Sequence, residues 1–215
     1  MKFKLLVSLL FLTFIRSVYS MVESNNEMLL RGARTNNIRL VRELLEPKVD
    51  INTQDENGDT ALTLAIHMGY KPMVELLLDK GANPNIKNNV FWGYTALLWA
   101  VDKDKPDIVK LLLEKGVNPN IQDNFDNTAL MIAARNNRIL IVRLLLDSGA
   151  SLDLVNNEGK TALDLAQEKK YGPIIKLIEE KIRQKVYKEI ADSGYLLPEL
   201  ANIVSEYVVC PKEKD

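Results

Sequence analysis

The sequence predicts an all-α solenoid in which about five pairs of short helices stack side by side, and three observations carry that expectation. First, the tripeptide Thr-Ala-Leu starts at Thr60, Thr95, Thr128 and Thr161, at spacings of 35, 33 and 33 residues. Second, a β-branched residue stands fourteen positions beyond each threonine, as Val74, Val109, Val142 and Ile175. The first three of these are followed by the leucine runs 76–78, 111–113 and 144–146. Third, a glycine turn and an extended tail come next, as DKGANPNI, EKGVNPNI and DSGASLDL. A single helix pair cannot bury its own apolar face, so such units become stable only by stacking on neighbours.

The elements follow in order. Residues 1–20 begin with MKFK, continue through the apolar run Leu5–Ile15, and end in Ser17-Val18-Tyr19-Ser20. This is the layout of a secretory signal peptide cut after Ser20, which would make the mature protein secreted or periplasmic. As a helix the run is about 16 Å long, short of a bilayer core of roughly 30 Å. Arg16, placed directly after it, keeps two other arrangements open: an uncleaved anchor at a membrane face, and a buried capping helix.

The repeats are expected at 25–56, 57–89, 90–123, 124–156 and 157–180. The first copy is irregular, but Gly32 and Val41 lie 33 residues before Ala65 and Val74, and Arg31, Arg34, Arg39 and Arg42 wet its outer side. In the second, helices are expected from Ala61 to Met68 and from Pro72 to Asp79. Thr at the head of each first helix can cap it, and Pro72 and Pro173 suit a first turn, where a missing N–H costs nothing. Gly81, Gly116 and Gly149 suit the left-handed residue that ends a second helix. Ala65, Ala100, Ala133 and Ala166 let first helices approach closely. Residues 181–215 are expected to finish the stack with capping helices and a tail. A helix from about Ile174 to Ala191 breaks at Asp192-Ser193-Gly194. Then Leu200, Ile203, Val204, Tyr207 and Val208 share one face of a short amphipathic helix opened by Pro198.

The recurring hexapeptides TALTLA, TALLWA, TALMIA and TALDLA resemble the ankyrin signature T-P-L-H-x-A, with its Pro and His lost and Thr, Leu and Ala kept. With the leucine runs and glycine turns, the resemblance to the ankyrin-repeat family covers roughly Asn25 to Glu180. It implies an ankyrin-repeat solenoid and a module that binds another protein through a concave groove and projecting loop fingers. Exported members of the family include effectors, and the resemblance extends to that role. The tail LPELANIVSEYV also resembles the opening of an F-box, which would imply a ubiquitin-ligase adaptor. Seventeen residues after Pro198 are too few for the remaining helices of that module.

Composition and chemistry exclude other classes. With 47% hydrophobic and 27% charged residues and a net charge of −1, the chain is that of a folded protein without the basic excess a nucleic-acid binder needs. There is one histidine, His67, and one cysteine, Cys210, far apart along a solenoid. No Ser-His-Asp or Cys-His set can be assembled from them, and no His/Cys metal site or glycine-rich phosphate loop is present. The expectation is a non-enzymatic, monomeric module with no cofactor, no metal and no small-molecule substrate. A single thiol also leaves the fold without an internal disulfide, and Cys210 reads as a small apolar residue on the short tail helix.

The candidate partner-binding residues come from register. His67, Asp102 and Arg135 occupy equivalent positions near the end of successive first helices, with Arg34 and Glu168, on the side that lines the groove in ankyrin proteins. The finger tips are Glu56-Asn57-Gly58-Asp59, Val90-Phe91-Trp92-Gly93-Tyr94, Asn124-Phe125-Asp126-Asn127 and Asn157-Glu158-Gly159-Lys160. The second carries the two residues that stretch the period to 35, and three rings where its sisters are polar. Either Phe91, Trp92 and Tyr94 stand exposed for a partner, extended by Phe125, or the longer loop folds back and buries them. If exposed, some 400 Å² of aromatic surface would be worth on the order of 10 kcal/mol before association costs. Trp99 falls in the register of Leu64, Ile132 and Leu165 and reads as core. The competing reading is a scaffold tethered to a membrane by residues 1–20.

Overall fold

The structure, a computed structural model, describes residues 25–46, 49–88 and 92–192. Among these it contains ten helices and no strand: α1 (25–34), α2 (Ile38–Leu45), α3 (Ala61–Met68), α4 (Lys71–Asp79), α5 (Ala96–Asp102), α6 (Pro106–Glu114), α7 (Ala129–Arg135), α8 (Ile139–Asp147), α9 (Ala162–Glu168) and α10 (Gly172–Asp192). The odd-numbered helices from α3 onward pack on one another in sequence order, as do the even-numbered helices from α4 onward, and the two rows pack together within each repeat. The expected all-α solenoid is what the chain forms. The signal-like segment, Phe91 and the tail with its F-box-like stretch and Cys210 lie outside the described residues.

Residue chemistry explains the stacking. Ala65, Ala100, Ala133 and Ala166 are fully buried, and without longer side chains the inner helices close up. Val74, Val109 and Val142 are fully buried beside Leu77, Leu112 and Leu145, which fill the layer between repeats. Ile175 keeps the register but is half-buried, and Ile174 and Ile178 on α10 fill its layer instead. In α1, Gly32 permits a close approach, since a Cβ there would lie 2.9 Å from Cγ2 of Val41.

The threonine caps hold at three of four positions. Thr60, Thr128 and Thr161 each accept from the backbone N–H three residues on, and the side chains of Thr63, Met131 and Asp164 reciprocate. Thr95 makes no side-chain cap, and Leu98 at the reciprocating position has no acceptor with which to complete a capping box. Trp99 corrects the expectation of a core residue. It is half-buried and packed against the core. Among the described residues no helix is long and apolar enough to cross a membrane.

Candidate functional site

Each finger is pinned by one Asx side chain that the sequence reading did not single out. Asp55 Oδ1 accepts from the N–H groups of Asn57 and Asp59, Asp123 Oδ1 from those of Phe125 and Asn127, and Asn156 Oδ1 from those of Glu158 and Lys160. These residues and Asn88 recur at 33, 35 and 33 residues, against 35, 33 and 33 for Thr-Ala-Leu, so a periodic signal was present in the sequence. Each also closes its hairpin through its own N–H: Asp55 to the carbonyl of Asp59, Asp123 to Asn127, Asn156 to Lys160. Asn88 does the same to Tyr94, two residues further along, and its Oδ1 accepts from the Tyr94 N–H at 2.9 Å. The longer period is therefore absorbed inside the second finger.

Fingers also bind one another. The Asn124 N–H donates to the Trp92 carbonyl at 3.0 Å, and the Asn157 N–H to the Phe125 carbonyl at 3.1 Å. Gly93 has φ +60°, and a Cβ on it would overlap the Asn124 side chain, so the close seat of the third finger on the second requires glycine there. Asp126 takes the equivalent left-handed position in its own finger at φ 60°.

On this frame the rings form a continuous strip. Phe125 and Trp92 are 5.4 Å apart between centroids, Trp92 and Tyr94 6.1 Å, Tyr94 and Trp99 5.0 Å, and Trp99 and His67 4.0 Å. The last two contacts are edge-to-face, the geometry favoured by the ring quadrupole. The strip runs from the third finger, through the second, down to the groove floor between α3 and α5. Its outer end is open: Trp92 is 44% exposed and Phe125 half-buried. Its middle is closed, for Tyr94 is 4% exposed. The expectation of Tyr94 as an exposed contact ring is thus corrected. The Asn88 clamp turns it inward onto Trp99, where burial is worth more than exposure.

Charge is arranged around the strip. Burial pushes the Tyr94 phenol up to about 12, helped by the Asp102 and Asp123 carboxylates and opposed by the Arg135 guanidinium. Burial lowers the His67 pKa against the pull of the nearby Asp59 carboxylate, so the imidazole is neutral at pH 7. The Nε2 of His67 and Nε1 of Trp99 are buried with no hydrogen-bond partner among the described residues. Edge-to-face stacking allows a ring face to take an N–H in place of an oxygen. Asp59 is raised by burial, and it accepts a hydrogen bond from the Thr63 hydroxyl at 3.2 Å. Lys103 sits 5.2 Å over Trp99 and 3.4 Å from Asp102.

A family model described as ankyrin repeats, three copies, matches residues 29–123 and 104–188, most of the chain. This chain belongs to the ankyrin-repeat family. Among curated proteins, osteoclast-stimulating factor 1 of Xenopus laevis is 39% identical over 72 residues, 34% of this chain and 32% of that protein. The 2-5A-dependent ribonuclease of Homo sapiens is 36% identical over 64 residues, 29% of this chain and 9% of that protein. Regulatory protein SWI6 of Kluyveromyces lactis is 54% identical over 39 residues, 18% of this chain and 5% of that protein. The ankyrin chain spans no more than about a third of any of these relatives, so the likeness is one of repeats rather than of whole proteins.

Ankyrin repeats typically form protein–protein interaction modules. Of the predicted contact residues, the structure brings Trp92, Tyr94, Phe125 and His67 into one strip and sets Asp102 and Arg135 beside it. Arg34 and Glu168 turn to internal partners, Arg34 to Asp55 at 3.2 Å and Glu168 to Lys160 at 2.7 Å. Among the described residues no group of three His, Cys, Asp or Glu side chains could hold a metal ion.

Proposed function

We propose that this ankyrin module docks a protein partner along the groove and finger wall of its second to fourth repeats, with the Trp92–Phe125 ledge as the apolar anchor. The observation that carries this is the exposure of Trp92 at 44% on a ledge tied to the following fingers by the Asn124 N–H to Trp92 carbonyl and Asn157 N–H to Phe125 carbonyl bonds. A half-exposed tryptophan supplies the kind of contact that dominates interface hot spots. Covering the exposed part of its ring, on the order of 100 Å², is worth about 2–3 kcal/mol, less than the three-ring estimate because Tyr94 is buried in the interior.

The module works outside the cytoplasm in this reading, as an exported protein whose leader is cut after Ser20. The MKFK–Leu5–Ile15–Ser20 layout supports that placement, and the mass of the mature N-terminus tests it. An intact residue 1 would support a membrane-tethered scaffold instead.

Docking is tested by affinity capture with three forms of the protein: wild type, Trp92→Ser, and Leu140→Ser. Leu140 lies on α8 and is 67% exposed, so it controls for general stickiness. The expected result is a captured protein lost with Trp92→Ser and kept with Leu140→Ser, at nearly unchanged melting temperature. Equal capture by all three would refute the ledge.

A further inference from the structure

His67 closes the inner end of the ring strip with a nitrogen that no oxygen serves. Its ring stands 4.0 Å from that of Trp99 at 74°, and Nε2 is buried without a hydrogen-bond partner among the described residues. The two carboxylates that bear on it are both engaged elsewhere. Asp59, 7% exposed, accepts from the Thr63 hydroxyl at 3.2 Å, and Asp102 lies 3.4 Å from the Lys103 ammonium. Lys103 itself sits 5.2 Å over the Trp99 ring. Beyond Asp59, Asp55 of the first finger is paired with Arg34 of α1 at 3.2 Å. From the second finger comes the neutral phenol of Tyr94, and α4, which packs against α3, adds no charge that bears on the imidazole.

These surroundings suit a neutral imidazole. The Trp99 ring can take an N–H, but no carboxylate or carbonyl stands at Nε2 to balance a full charge, and a buried charge without such a partner is costly. A protonated ring would also bring a second cation against an indole that already holds Lys103, so the repulsion between the two offsets the pull of the indole face. His67 is only half-buried, at the C-terminal end of α3, so the charged ring has a way out to water. Its departure takes an edge contact from Trp99, on which Tyr94 rests at 5.0 Å, and Trp92 in turn stands 6.1 Å from Tyr94.

We propose that His67 is an acid switch for the docking groove: neutral, it braces the ring strip at its base; protonated, it leaves Trp99 and loosens the strip up to the Trp92–Phe125 ledge, so that the partner is held at neutral pH and released in mild acid. The inference rests on the docking reading above and adds its regulation. Burial disfavours the charged ring in the folded protein, so the switch belongs below the ordinary imidazole value near pH 6.5.

The two tryptophans make the strip visible without any partner. The full chain labelled with 5-fluorotryptophan gives one fluorine signal from each, assigned with Trp92→Phe and Trp99→Phe. Between pH 7.5 and 5.0 both signals should move along one titration curve with its midpoint below pH 6.5, at constant helix content, and His67→Gln should flatten both. Asp59→Asn should lower the midpoint and Lys103→Met should raise it, since the carboxylate favours the charged ring and the ammonium opposes it. A Trp92 signal that stays still while Trp99 titrates would overturn the switch. So would a curve that survives His67→Gln, or helix loss along the same curve.

The second arm uses the protein captured through Trp92. Wild type should retain several-fold less of it at pH 5.5 than at pH 7.5, whereas His67→Gln should keep at pH 5.5 whatever share it holds at pH 7.5. Equal acid release from both would overturn the switch and leave the docking reading standing. Capture indifferent to Trp92→Ser would overturn the docking reading, and the release with it, whatever the fluorine curves show.

Discussion

At the scale of single residues, small differences between repeats carry specific consequences. Thr60 and Thr161 sit in reciprocal capping boxes, whereas Thr95 faces Leu98 and makes none. Thr60→Ala and Thr161→Ala should therefore each cost about 1 kcal/mol, and Thr95→Ala clearly less, in denaturant unfolding. His67 gives the protein an acid sensitivity. The folded state holds it neutral, while the unfolded chain takes up its proton near pH 6.5. Stability from this group is present above that pH and declines as pH falls toward the lowered folded value. Asp59, raised by burial, acts with the opposite sign at lower pH, so the comparison is best made with a variant. Relative to His67→Gln, wild type should lose melting temperature as pH drops from 7.5 to 5.5, and a constant difference would remove His67 from the account. Residues like these are the least legible in a sequence. Thr95 looks like its three sisters yet makes no cap, and Tyr94 looks like a finger-tip ring until the Asn88 clamp turns it inward.

At the scale of elements, the fingers decide where the rings go. Gly93 is required by its positive φ and by the seat of Asn124, so Gly93→Ala should destabilise by more than about 1 kcal/mol. Pairing it with Asn124→Gly should recover part of the loss by removing the overlap, though not the backbone strain. The outer helices are joined by a ladder of ions between repeats: Lys80 to Glu46, Lys115 to Asp79, and Lys181 to Asp147. Ser148 stands in the register of Lys80 and Lys115, facing the place where Glu114 would complete the missing rung. Ser148→Lys should stabilise by a few tenths of a kcal/mol, a gain that disappears in high salt. Helices were readable from the sequence because leucine spacing, capping threonines and turn glycines all repeat. The strip of rings was not, because its order depends on contacts between fingers that no period encodes.

At the scale of the whole molecule, stability and recognition share one construction. The ring strip begins on the second repeat at His67, crosses the third through Trp99, Tyr94 and Trp92, and ends on the fourth at Phe125, so it exists only while those repeats are stacked. Leu112, fully buried between layers, is distant from the ledge in function but not in mechanics. Leu112→Ala should cost about 2–5 kcal/mol. The overall array was legible because stacking imposes its period on every buried position, while the partner's chemistry depends on which charges the neighbours leave open. The chain's two tryptophans, Trp92 and Trp99, allow the central claim to be tested directly. In a Trp99→Phe background, emission reports Trp92 alone. The account predicts red-shifted emission that acrylamide quenches readily in the free protein, becoming blue-shifted and protected when the captured partner binds. A Trp92 that is already shielded in the free protein, or unchanged at saturating partner, would contradict it.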